Sequence, residues 1–220
     1  FRGLGVSQSC FAVESNMATL AWDLELDPIE FRRMNALELG AATATGQVMR
    51  ESVGMQECID RVAADMRGED FRWSWQDGHR RFAWGLAVGY KNTGLGGGAP
   101  DKATAEVEAR HDSDRGLVAE VRISSAEMGQ GLPGVLASCA AEELGIAADD
   151  VSVLLGDTDV CPDGGPTTAS RQTFVSGNAA RLAARKAAEM LAAAPGERVV
   201  ARHEYWAPQT QPLGTGGDMH

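Results

Sequence analysis

Two stretches of this chain, Thr104 to Arg110 and Leu117 to Ile123, alternate apolar and polar residues with a period of two, and the polar run Asp112 to Arg115 lies between them. Successive strand residues point to opposite faces, so this alternation predicts a β-hairpin or meander with one face buried. The following segments read as alternating elements. Leu132-Pro133 opens a helix that runs to Leu144, with Gly145 as its C-terminal stop. A short strand is predicted over Asp150 to Leu155, then a loop rich in Gly, Asp, Pro and Thr over Gly156 to Ala169. An Ala-rich helix spans Arg171 to Ala194 and is stopped by Pro195-Gly196, and Arg198 to Trp206 reads as a last strand.

The first third has a different texture. Phe11, Ala12, Met17, Leu20, Ala21 and Leu24 recur at helical spacing and predict an amphipathic helix over Ser9 to Glu25. Asp27-Pro28-Ile29-Glu30 is a restart signal: Asp at the N-cap, Pro at the first helical position, Glu three residues after the cap. That helix is expected to reach Leu37, and another to span Met55 to Met66. Phe82 to Tyr90 reads as a buried strand ahead of the glycine run Gly94 to Gly98. The fold class is therefore α+β, a mixed sheet with helices.

Composition narrows the function. A net charge of −11 leaves no basic face for nucleic acid or for an acidic membrane surface. No apolar run approaches the ~20 residues of a membrane-spanning helix. The four cysteines, Cys10, Cys58, Cys139 and Cys161, lie too far apart for a close-spaced metal site. They fit a reducing compartment, so a cytoplasmic protein is expected, with Cys10 and Cys139 as small core residues. His79, His111, His203 and His220 are scattered without a nearby nucleophile pattern, and Asp157, Asp159 and Asp163 lack a calcium loop's ligand ladder and read as turn acids.

Two loop-to-helix junctions could carry chemistry. Met128-Gly129-Gln130-Gly131 leads into the helix at Leu132, and Thr167-Thr168-Ala169-Ser170-Arg171 leads into the long Ala-rich helix. A helix N-terminus has unpaired N–H groups and a partial positive charge, which suits an anion. Glycines permit close backbone approach, Gln130 offers a donor and an acceptor, and Arg171 would add a cation beside the hydroxyls of Thr167, Thr168, Ser170 and Thr173. Ordinary turn and cap chemistry accounts for either junction alone; the pair together suits a ligand with phosphate at one end and a polar heterocycle at the other, and structural use of both stays open as the alternative.

Five ordered segments resemble the xanthine dehydrogenase/aldehyde oxidoreductase family of molybdenum hydroxylases. They are Phe1 through Gln8 followed by Phe11 through Ser15; Leu26 through Leu37; Glu127 through Gly131; Leu155-Gly156-Asp157-Thr158; and Gly165 through Thr173. The resemblance implies a molybdenum–molybdopterin cofactor, in its cytosine dinucleotide form if the source is bacterial. It implies residues 1–76 as the helical end of a first molybdopterin-binding domain and 77–220 as the start of a second. By the same resemblance Phe1, Arg2 and Gly3 lie near the cofactor, with Arg2 near the metal centre. Leu4 faces the substrate, where relatives acting on purines carry a Phe, so aldehydes or other N-heterocycles are implied over xanthine. Met128, Gly129, Gln130 and Gly131 would contact the pterin, Thr168, Ala169 and Ser170 would line the cofactor beside the metal, and Arg171, Gln172 and Thr173 would continue along it. The family holds its metal through pterin sulfurs, so no protein metal ligand is implied.

The resemblance also implies hydroxylation with water as oxygen source, a glutamate general base, and electrons leaving through iron–sulfur and FAD subunits or domains. That glutamate and the family's glycine-rich cofactor loop have no counterpart in the 220 residues. No catalytic residue is therefore assigned in this chain, which reads as a fragment, a truncated form or one piece of a split subunit, not active alone. The alternative is a non-catalytic scaffold or split-subunit module that keeps the fold without the chemistry. A small-molecule substrate is implied, and homo-oligomerisation is left open.

Overall fold

The computed structural model describes residues 3–68, 70–91 and 93–212. These divide into two compact units, one running to Lys91 and the other from there to Pro212.

The first unit holds helices α1 (Val6–Asp23), α2 (Pro28–Asn35) and α3 (Met55–Met66) and a hairpin of β1 (Ser74–Asp77) and β2 (Arg80–Ala83). Asp27 caps α2 as its spacing predicts, its Oδ1 accepting the N–H groups of Ile29 at 2.9 Å and Glu30 at 3.2 Å. The buried Arg32 ties α2 to α1, its Nε donating to Glu14 Oε2 at 2.8 Å. Ile29, Ile59 and Ala63 form a small core with Trp73, Leu86 and Val88 packed on it.

Two expectations are corrected in this unit. The apolar stripe of α1 buries only Ala21, while Phe11 is 77% exposed, so no described element covers that face. Phe82 to Tyr90 is not a buried strand: only Arg80–Ala83 pairs, and all four of its residues are exposed. Glycines at 85 and 89 interrupt the run, and beyond Ala83 no described strand lies beside it, so Leu86 and Val88 reach the core from extended chain without a ladder. Positions 76 and 77, where the sequence reading divides two domains, fall within the β1–β2 hairpin and its turn.

The second unit is a four-stranded mixed sheet of order β5-β4-β3-β6: β3 (Lys102–Asp112), β4 (Gly116–Ile123), β5 (Val151–Leu155) and β6 (Val199–Trp206). The predicted hairpin is β3–β4, antiparallel, turning where Asp112 Oδ1 accepts the N–H groups of Asp114 and Arg115. β4 then crosses through α4 (Leu132–Leu144) to the parallel β5, and α5 (Gln172–Ala193) leads to β6 on the far edge of β3. Gly145 stops α4 in the left-handed conformation at φ 67°.

One face of this sheet and the two helices make the core. Ala103, Ala105, Val107 and Ala109 of β3 meet Val175, Ala179, Ala183 and Ala187 of α5, all of them buried. Small side chains on both sides let the helix backbone approach the strands closely. Cys139 is half-buried where α4 crosses α5, and a Cβ on Gly177 would come within 3.4 Å of its sulfur. The opposite face is charged instead of apolar: Arg122 pairs with Glu106, Glu108 and Glu120, and Glu108 also receives Arg198.

Candidate functional site

Both predicted junctions lie just beyond the carboxyl ends of the parallel strands β4 and β5, where open α/β sheets bind ligands. The loops after these strands are laced together. Ser124 Oγ accepts the N–H of Gly164 at 2.9 Å, and Thr167 Oγ1 accepts the N–H of Ala126 at 2.9 Å. Ser125 and Ser176, both fully buried, share the side-chain oxygen of Gln172. The structure thus brings Met128–Gly131 and Thr168–Thr173 to one end of the sheet.

The first junction differs from its sequence reading. Its N–H groups are not free. The Glu127 carboxylate folds over the loop and accepts Gly129 N–H and Gly131 N–H on one oxygen and Leu132 N–H on the other, the last at 2.6 Å. Gln130 closes the rest, its Oε1 accepting Met128 N–H at 2.6 Å and its Nε2 donating to the Ala126 carbonyl at 2.8 Å. The chain's own carboxylate therefore fills the anion position of α4. Loss of solvation pushes the Glu127 carboxyl up, but the N–H groups of Gly131, Leu132, Gly129 and Gln130 outweigh it and hold it below its ordinary value.

At the second junction two assignments change. Arg171 is not a cation at the mouth of the helix. Its side chain is fully buried, with Nε on Asp101 Oδ1, Nη1 on the carbonyls of Gly164 and Pro166, and Nη2 on the carbonyl of Lys102. Gln172 is likewise turned inward, its Nε2 donating to Pro166 O and Thr167 Oγ1. These two side chains hold the loop instead of lining a ligand.

What faces outward is the rest. Thr168, Ser170 and Thr173 are exposed, and among the described residues their hydroxyls have no partner. α5 has no capping side chain and no acidic residue in its first turn, and no described acceptor reaches the N–H groups of Gln172, Thr173 or Phe174. Ala169 and Ser170 both adopt left-handed backbone, φ 50° and 55°, a costly conformation for residues with a Cβ. The Ala169 carbonyl accepts Gly94 N–H at 3.0 Å, so the glycine run joins this site. Asp101 anchors both, taking Leu95 N–H as well as Arg171. Sequence reasoning recorded the glycine run and missed its place; Asp101 gave no local signal at all.

Tested against a phosphate-bearing pterin, the donor set fits at the second junction, where first-turn N–H groups and hydroxyls are open. It does not fit an anion at the first, where carbonyls of the loop are what remain. Asp157 and Asp163 cap turns through Asp159 N–H and Gly165 N–H, and no group of three His, Cys, Asp or Glu gathers among the described residues. Gly3 and Leu4 lie in the other unit, Leu4 79% exposed, and Phe1 and Arg2 lie outside the described residues. No described helix is long and apolar enough to cross a membrane.

Comparison with known proteins agrees with this arrangement. Residues 40–209 match one molybdopterin cofactor-binding domain model and residues 1–36 match another. The putative xanthine dehydrogenase molybdenum-binding subunit XdhA of Escherichia coli is 32% identical over 186 residues, 83% of this chain and 24% of that protein. The aldehyde oxidoreductase of Megalodesulfovibrio gigas is 31% identical over 188 residues, 83% of this chain and 20% of that protein. The solved aldehyde oxidoreductase from Desulfovibrio gigas superposes with a TM-score of 0.69 at 26% identity, over 94% of this chain and 24% of that one. The chain thus spans between a fifth and a quarter of the length of these relatives. From sequence, site and fold alike, the chain belongs to the molybdopterin cofactor-binding domain family shared by xanthine dehydrogenases and aldehyde oxidoreductases.

Proposed function

We propose that this chain supplies part of the cofactor site of a molybdenum hydroxylase that oxidises an aldehyde or N-heterocycle with water as oxygen source. The observation that carries the reading is the pair of laced loops at the ends of β4 and β5, one closed on itself and the other open at the start of α5. Bound molybdopterin supplies a redox-active metal held by pterin sulfurs. Thr168, Ser170 and Thr173 hydroxyls and the first-turn N–H groups of α5 hold its phosphate, with Ala169 beside them. Met128, Gly129, Gln130 and Gly131 meet the pterin through backbone carbonyls and the remaining Gln130 amide hydrogen. Arg171 and Gln172 act from behind, through the loop. By the family resemblance alone, Phe1, Arg2 and Gly3 would contact a cofactor of this kind and Leu4 would border a substrate other than xanthine. The chain's beginning, residues 1–36, belongs to the end of one cofactor domain and residues from 40 onward to the next, a division earlier than the one at 76 and 77 expected from sequence. The cofactor carries a cytosine nucleotide, and iron–sulfur and FAD partners take the electrons.

Metal analysis and acid release of nucleotide from the intact protein test this. The expected result is molybdenum in near-stoichiometric amount with released cytidine monophosphate. A fully assembled protein containing neither molybdenum nor pterin refutes it and leaves a scaffold that keeps the fold alone.

A further inference from the structure

We infer that Glu127 is a positioning residue: its carboxylate stands in for an anionic ligand at the start of α4, fixes the Met128–Gly131 loop before the cofactor arrives, and so directs the cofactor's phosphate to α5. The claim rests on the cofactor-site reading above. Two helices start side by side at this end of the sheet, and their first turns are in opposite states. At α4, three successive-turn N–H groups converge on one side chain five residues or fewer upstream. Bonds from N–H groups to a carboxylate are the strong, charge-assisted kind. Gln130 adds two more bonds within the same seven residues, tying Met128 to Ala126. Gly129 and Gly131 take φ 91° and 77°, which lets the loop wrap around the carboxylate. A loop closed in this way has its N–H groups taken and leaves the carbonyls of residues 127–130 without a partner among the described residues, a set that suits the amino and ring N–H groups of a pterin and not a phosphate. At α5, among the described residues, no side chain takes that role and the neighbouring hydroxyls have no partner. The pair sorts the two ends of one ligand by charge.

The test is hydrogen exchange on the cofactor-free protein, with wild type, Glu127→Gln and Glu127→Ala compared, and molybdenum content measured on each protein as isolated. In Glu127→Ala the amides of 129–132 exchange about ten- to a hundredfold faster, the size of a lost charge-assisted bond. Glu127→Gln keeps one carbonyl acceptor and falls between. Strand residues 116–123 keep their protection, and molybdenum content drops in the same order as the loop loosens. Inorganic phosphate at millimolar concentration slows exchange of the loop in Glu127→Ala and leaves it unchanged in wild type. Unchanged loop exchange in Glu127→Ala overturns the inference, as does acceleration spread equally over 116–123, or a phosphate effect on the wild-type loop. Accelerated loop exchange with full molybdenum content overturns the link from loop to cofactor. Wild-type protein without molybdenum or pterin instead refutes the underlying reading and leaves the exchange result standing.

Discussion

Replacing Arg171 by methionine keeps most of the side chain's volume and removes its guanidinium. The native group is fully enclosed, and Asp101 beside it is 8% exposed, with Nε 2.5 Å from Oδ1. Three carbonyls also depend on it: Lys102 at 2.5 Å, Pro166 at 2.8 Å and Gly164 at 3.0 Å. After the change Asp101 is a buried carboxylate with, among the described residues, the N–H of Leu95 as its remaining donor. Removing one partner of a buried ion pair costs about 3–5 kcal/mol, because the stranded charge keeps its desolvation penalty. Asp101→Asn leaves the guanidinium its three carbonyls, so a smaller loss of about 2 kcal/mol is expected. The double variant then loses at least about 1 kcal/mol less than the sum, since contacting residues couple on that scale. Urea unfolding of the three variants, with the midpoint compared at unchanged slope, measures each loss. Hydrogen exchange at the Arg171 and Val175 amides, which donate to the carbonyls of Thr168 and Arg171, reports whether the segment around Ala169 and Ser170 loosens first. A loss below about 1 kcal/mol for Arg171→Met, or strict additivity, refutes the argument that this cation anchors the loop from within.

Two further outcomes follow from the same sheet. Glu108 is held from 4.5 down to about 2, chiefly by Arg198, against its own loss of solvation, with Arg122 next. A depressed carboxyl stabilises the fold above its unfolded value and loses that contribution as pH falls from about 4.5 toward 2. At about 1.4 kcal/mol per pH unit this is roughly 3 kcal/mol, reduced to about 1–2 because the Arg198 side chain is 63% exposed. Urea midpoints across that range should fall for wild type and stay flatter for Glu108→Gln; parallel curves would count against the network. Gly164→Ala puts a Cβ 2.7 Å from both Ile123 Cγ1 and Ser125 Oγ. Overpacking of this kind costs about 1–3 kcal/mol, so a melting shift of a few degrees and a lower molybdenum content are expected, and a variant indistinguishable from wild type argues that the two loops are not laced as described.

Much of this fold is visible in local sequence. The helix Met55–Met66, the Asp27 cap, the β3–β4 hairpin and the Gly145 stop all depend on residues within a turn or two of one another. What escaped reading depends on distance. Arg171 looks like a surface cation until Asp101, 70 positions earlier, is folded against it. The run Phe82 to Tyr90 has the composition of a buried strand and lacks the neighbour that would make it one. The structure brings the two predicted junctions to one end of the sheet, and the free N–H groups expected at the first are taken by Glu127. That Glu127 turns back over its own loop follows from backbone angles at Gly129 and Gly131 that a string of letters does not state.

The order of strands has a consequence for how the sheet comes into being. β3 and β4 are separated by a tight turn, so they zip as soon as both exist, and β5 can add through the α4 crossover. The other edge of β3 waits for β6, whose register runs from Lys102 opposite Trp206 to Ala109 opposite Val199. About a hundred residues must be synthesised before that pairing closes, and closing so long a loop is slow as well as late. Until then an alanine- and valine-rich strand has an open flank, the kind of surface that joins with other chains. Trimming the chain before Val199 would leave that flank permanently bare, and aggregation during synthesis, not loss of the site, would be the first failure observed.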